Sequence, residues 1–132
     1  LVPGVLLRNK YLEFICKNVF VKLDNKNNLF FKNLDKNVLE LHIAHNEGNY
    51  FCTKDQLKEI EDNNQIAIYY CNEEGKTEDQ FNPNGSVRNI AGILNKEKNV
   101  LGMMPHPERM IDESLSGEDG SLFFKNLINN IK

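Results

Sequence analysis

Residues 65–71 read Gln65-Ile66-Ala67-Ile68-Tyr69-Tyr70-Cys71. The apolar run is unbroken and short, which suits a buried strand rather than one with a face turned to water. Just upstream, Thr53 and Gln56 form a capping box, Leu57 and Ile60 supply a short apolar stripe, and Asn63-Asn64 stops the pattern. That segment predicts a surface helix of about ten residues. Downstream, Asn72 to Gln80 is polar loop, and Asn82-Pro83-Asn84-Gly85 is a dense pair of turn signals. Ile90 to Leu94 and Val100 to Met104 then flank the polar Asn95-Lys96-Glu97-Lys98-Asn99, a pattern that suits a hairpin. Asp119-Gly120-Ser121 can start a last helix, in which Phe124, Leu127, Ile128 and Ile131 follow the i, i+3, i+4, i+7 spacing and are expected to pack on the sheet.

Toward the N-terminus, Val38 to Ala44 reads as a strand that runs into His45-Asn46-Glu47-Gly48-Asn49-Tyr50, where Gly48 permits a turn that other residues resist. Asp24 to Asn37 is a polar loop around Leu29-Phe30-Phe31, whose aromatics are read as ordinary packing. Tyr11 to Leu23 carries apolar groups on both alternating faces, as a central strand or a pair of strands broken near Asn18 does. Strands and helices therefore mix along the chain, and the fold class is α/β.

A chain of 132 residues fits one domain, and none of its apolar runs approaches the roughly 18 residues needed to cross a bilayer. A membrane role is not expected. The net charge of -3 offers no basic stripe to neutralise phosphates, so nucleic acid is not an expected partner either. Asn and Lys are abundant throughout while arginine is confined to Arg8, Arg88 and Arg109, which reads as a genome-wide bias, so individual Asn and Lys residues are discounted. Cys16, Cys52 and Cys71 are an odd set without metal-type spacing and are expected to be buried thiols of a reducing, cytoplasmic compartment. The opening Leu1-Val2-Pro3-Gly4 is a turn signal rather than a start, and the chain is expected to be a piece of a longer one.

The chemistry concentrates in Met104-Pro105-His106-Pro107-Glu108. Each proline fixes its own φ and pushes the residue before it out of the helical region, so Met104 and His106 are expected to be extended. In extended chain residues i and i+2 point the same way, which would put the His106 imidazole beside the Glu108 carboxylate. A carboxylate on one ring nitrogen selects the tautomer and leaves the other nitrogen free to take a proton from a nucleophile. The plain alternative is a stiff surface loop whose His and Glu only solvate it. His45 and Glu47 are also expected to share one side of a strand end, where they could flank a binding site or merely cap the strand. A metal site built from His42, His45, Glu47 and His106 is not expected, because His42 and His45 would point to opposite faces of a strand.

Four strings occur in order: Pro3-Gly4-Val5-Leu6-Leu7-Arg8-Asn9; Ala44-His45-Asn46-Glu47-Gly48-Asn49-Tyr50; Asn82-Pro83-Asn84-Gly85-Ser86 with Ile90-Ala91-Gly92-Ile93; and Gly102-Met103-Met104-Pro105-His106-Pro107-Glu108-Arg109. Together they make the chain resemble the glutaminase subunits of phosphoribosylformylglycinamidine synthase, a family of class I glutamine amidotransferases. The resemblance covers nearly the whole chain and is far more specific than Pro-His-Pro-Glu alone. It implies the three-layer, flavodoxin-like α/β fold with a mostly parallel sheet. Residues 1–132 would be the C-terminal part of a single domain lacking its N-terminal strands.

In function, the resemblance implies glutamine hydrolysis by a Cys-His-Glu triad, with His106 as general base and Glu108 as its orienter, feeding ammonia to purine biosynthesis. None of the three cysteines has the glycine neighbours that a nucleophile elbow needs, so the thiol is expected upstream, and the isolated chain is expected to be inactive and poorly stable. His45, Glu47 and Gly48 are lesser candidates for the substrate site or an interface. The implied partners are glutamine, a large synthetase subunit and a small accessory subunit. No cofactor or metal is expected on this chain, with ATP and Mg²⁺ falling to the synthetase. The alternative is a non-catalytic docking module of that synthetase.

Overall fold

The computed structural model describes residues 2–114 and 117–132. Among these residues, seven strands and two helices follow in chain order: β1 Val5–Leu7, β2 Ile15–Leu23, β3 Val38–His45, β4 Asn49–Phe51, α1 Lys54–Asp62, β5 Ile66–Cys71, β6 Ile90–Leu94, β7 Leu101–Met103 and α2 Asp119–Ile131. Short 3-10 turns at Asp79–Phe81, Val87–Asn89 and Pro107–Arg109 complete the order. Five strands form one sheet in the order β3-β2-β5-β6-β7, while β1 and β4 pair separately.

The expected burial of β5 is met on both faces. Ala67, Ile68 and Tyr70 join one apolar cluster with Val21, Leu41, Ile43, Met110 and Phe123. Ile66 belongs to a second cluster with Tyr50, Ile60, Ile90 and Ile93, against which Tyr69 packs. Register shifts between Ile66 and Tyr69 let one strand serve both sides. Helix α2 supplies Phe123 to the first cluster and α1 supplies Ile60 to the second, so the sheet lies between helical layers. Helix α1 begins as its sequence requires: Thr53 Oγ1 accepts from Gln56 N at 3.2 Å and Gln56 Oε1 accepts from Thr53 N at 3.0 Å. The Ile90–Leu94 and Leu101–Met103 segments form the expected hairpin.

Three expectations are corrected. Every strand pairing among the described residues is antiparallel, not mostly parallel. A parallel pair needs a crossover helix between neighbouring strands, and α1 instead joins β4 to β5, which are not neighbours. Strand β2 runs unbroken through Asn18, and its Cys16, Asn18 and Lys22 face outward, so Cys16 is an exposed thiol rather than a buried one. Cys52 and Cys71 are buried. Helix α2 buries Gly120, Phe123 and Asn126, leaving Ile128 and Ile131 at 54% and 66% exposure. Asn126 Nδ2 donates to the Phe30 carbonyl at 2.9 Å, and Asn130 Nδ2 donates to those of Leu29 and Lys32 at 3.0 and 2.7 Å. Satisfying those loop carbonyls rotates the helix away from its most apolar stripe.

Further apolar surface stays open. Val5, Leu6 and Leu7 of β1 are all exposed, as are Tyr11, Leu12 and Phe14 in the loop that follows. No helix among the described residues is long and apolar enough to cross a membrane.

Candidate active site

The Pro-His-Pro-Glu segment leaves β7 and crosses beside the edge strand β3. Met104 N donates to the Ala91 carbonyl at 3.0 Å, and His106 N donates to the His42 carbonyl at 2.7 Å, which forms an isolated bridge. His106 is extended, at φ -104° and ψ 90°, as the following proline demands. Glu108 is not extended: Pro107 starts a 3-10 turn, and that turn, rather than strand alternation, brings the carboxylate back to the ring. His106 Nδ1 and Glu108 Oε1 lie 2.7 Å apart, a charge-assisted distance. With Nδ1–H donating to the carboxylate, Nε2 carries the lone pair. The imidazole is one-third exposed and accessible to a reactant.

Partial desolvation raises the Glu108 carboxyl. Hydrogen bonds from its own backbone N–H and from His106, together with the charges of His106 and Arg109, outweigh that and hold it below its ordinary value of 4.5. Helix α2 clamps the turn from behind. A Cβ on Gly120 would stand 1.7 Å from the Pro107 carbonyl oxygen, so only glycine allows this approach. Ser121 N donates to the Met110 carbonyl, and Asp119 Oδ2 accepts from Glu40 N at 2.8 Å, tying the helix start to β3.

A second, buried cluster joins three of the sequence motifs. Asn9 Nδ2 donates to the carbonyls of Glu13 and His45, and its Oδ1 accepts from Gly48 N at 2.9 Å. The Asn84 amide donates to His45 Nε2 and to the Tyr70 hydroxyl, both at 3.1 Å, while its Oδ1 accepts from Ser86 N. The Ser86 hydroxyl lies 3.1 Å from the Gly48 carbonyl and 2.7 Å from Asn84 Oδ1. Asn9, Asn84, Ser86 and Tyr70 are at most 2% exposed. His45 accepts at Nε2, so Nδ1 bears the proton, and it finds no partner among the described residues. Burial first, and then the nearby charge of His106, push the His45 imidazole below its ordinary value of 6.5 and keep it neutral.

His45 and Glu47 therefore do not share a side: His45 turns into the cluster and Glu47 is exposed. Gly48 serves for space rather than for φ, since a Cβ there would meet the His45 ring at 2.2 Å and no positive φ occurs at this position. His42 points away from His45, with its ring against Asn18 and Cys16. Asn9, Asn84 and Gly120 were missed as site-building residues. The two asparagines were hidden by the chain-wide abundance of their type, and Gly120 looked like a helix start and nothing more.

A CobB/CobQ-like glutamine amidotransferase domain model matches residues 3–118, which take in both the buried cluster and the His106–Glu108 pair. The chain belongs to the CobB/CobQ-like glutamine amidotransferase family. Two relatives bear the name phosphoribosylformylglycinamidine synthase subunit PurQ. The one from Pelagibacter ubique (strain HTCC1062) is 73% identical over 132 residues, 100% of this chain and 58% of that protein. The one from Aquifex aeolicus (strain VF5) is 44% identical over 129 residues, 97% of this chain and 57% of that protein. The solved structure of PurLQS from Thermotoga maritima contains a chain that superposes with a TM-score of 0.78 at 33% identity, covering 100% of this chain and 55% of that one. This chain thus spans a little over half the length of the relatives it matches. The α/β arrangement described above is that of the corresponding part of the family fold.

Proposed function

We propose that this chain supplies the base and its orienter for a glutaminase that delivers ammonia to phosphoribosylformylglycinamidine synthesis. The observation that bears the proposal is the 2.7 Å His106–Glu108 contact, held by backbone hydrogen bonds on one side and by a glycine-only helix approach on the other. His106 Nε2 takes the proton of a cysteine thiol. The thiolate attacks the glutamine carboxamide carbon, the C–N bond breaks as the same proton passes to the leaving nitrogen, and water hydrolyses the thioester to glutamate. That cysteine lies outside this chain, because none of Cys16, Cys52 and Cys71 makes a hydrogen bond to His106, and the latter two are buried. His45, Glu47 and Gly48 shape the neighbouring turn, and of the three it is Glu47 that is exposed and able to meet substrate or partner.

The partners in this reading are a large synthetase subunit, which holds ATP and Mg²⁺ and consumes the ammonia, and a small accessory subunit, all cytoplasmic. The PurQ names of the relatives and the PurLQS assembly of the structural neighbour support it. The test is His106→Ala in the full-length protein with its synthetase. Glutaminase turnover is expected to fall by roughly 10²–10⁴, or about 3–5.5 kcal/mol of barrier. Covalent labelling by a glutamine-like electrophile is expected to require a cysteine outside residues 1–132. Full turnover without His106, or turnover by this chain alone, overturns the assignment.

A further inference from the structure

The outward face of the β2–β3 ladder holds a second nucleophile, base and orienter, unconnected to the proposed glutaminase chemistry. Asn18 stands directly opposite His42 in the register, and Cys16 is two residues back on the same face. Cys16 Sγ lies 3.4 Å from His42 Nε2, and His42 Nδ1 lies 2.9 Å from Asn18 Oδ1. Asn18 is itself oriented, since its Nδ2 donates to Glu40 Oε1 at 3.2 Å. The chain of bonds selects one tautomer. Glu40 accepts only, so the Asn18 amide nitrogen must face it and the amide oxygen must face His42. The His42 Nδ1–H then donates to that oxygen, and the Nε2 lone pair is left for the Cys16 S–H. All four side chains stand on paired strands rather than on a loop, and the thiol is exposed. The charged groups of this face are Glu40 and Lys22, and His106 is joined through its backbone to the His42 carbonyl.

We infer that Cys16 is a modification site whose thiol is activated by His42 for exchange with small-molecule disulfides. The Cys16 proton passes to His42 Nε2, and the thiolate sulfur attacks one sulfur of the disulfide. A Cys16–S bond forms as the reagent's S–S bond breaks, and the departing thiolate takes the proton from the imidazolium. The small-molecule disulfide is the only oxidant required. The adduct sits on β2, one strand from the His42 carbonyl that accepts the His106 N–H. Cys52 and Cys71 serve as internal controls: burial raises both thiols, Cys71 to about 11, and neither has a histidine partner.

The probe is 5,5′-dithiobis(2-nitrobenzoate) mixed with the native protein after its glutaminase cysteine has been blocked by a glutamine-like electrophile, with release of the coloured thiolate followed in time. One fast equivalent is expected, abolished by Cys16→Ser. His42→Gln is expected to slow it by about tenfold or more near pH 7, with the difference closing at alkaline pH, where the reaction no longer needs a base. Asn18→Ala, which keeps the base but frees its ring, is expected to slow it by a smaller factor. A fast equivalent that survives Cys16→Ser overturns the inference, as does a wild-type rate near neutrality in both His42→Gln and Asn18→Ala. Slowing by the same factor at every pH would mean that His42 only shapes access to the thiol, and would overturn it too.

Discussion

His45 and His106 lie close enough for the charge of one to depress the other, yet the fold treats them oppositely. His106 receives a carboxylate and keeps a third of its side chain in solvent; His45 receives an amide and is 7% exposed. A carboxylate partner supports an imidazolium, whereas an amide partner inside a closed cluster supports only the neutral ring. In the proposed glutaminase His106 is the base that takes a proton, while His45 holds a turn in place. The support differs as well. The His106–Glu108 pair depends on backbone contacts from β3 and α2, and the His45 cluster depends on side-chain amides drawn from widely separated motifs.

That contrast can be broken first on the His106 side. Gly120→Ala forces a Cβ against a backbone carbonyl that cannot move without shifting Pro107, so about 3 kcal/mol of stability is expected to be lost in urea denaturation. Gly102→Ala, where nothing lies within 4 Å, is its control and is expected to be far milder. An unchanged denaturation midpoint for Gly120→Ala would mean that α2 does not clamp the turn.

On the His45 side, Asn84→Ala removes the donors to His45 and Tyr70 and the acceptor for Ser86, leaving buried groups unpaired. About 2 kcal/mol of destabilisation is expected by the same measurement, and a loss below about 0.5 kcal/mol would show that the cluster is not closed.

The smallest effect separates the two histidines by pH. His45 has a folded value below its ordinary 6.5, so the unfolded chain binds the extra proton, and the stability that this contributes is present above 6.5 and lost as pH falls. Glu108, held below 4.5, acts with the same sign in a lower window, and weakly, because its carboxylate is more than half exposed. Urea midpoints measured from about pH 7.5 down to about 3 should therefore decline in two stages. His45→Gln is expected to remove the upper stage and Glu108→Gln the lower. A decline that begins only below 4.5 in the parent protein would contradict the buried, neutral His45.

What the amino-acid sequence determined by itself is local: the buried run at Ile66–Cys71, the Thr53–Gln56 cap, the hairpin after the Asn-Pro-Asn-Gly turns, and the proline frame around His106. Each follows from short-range sterics, or from hydrogen bonds between residues a few positions apart. The tertiary structure alone decided the antiparallel order of the sheet, the rotation of α2, the burial of His45 beside Asn84, and the meeting of Cys16 with His42. Those depend on which distant carbonyl or ring a side chain finds once strands are paired. Asn84, one asparagine among many in the sequence, became distinct only when His45 and Tyr70 were brought to either side of it, because a hydrogen bond has no value until both partners have left water together.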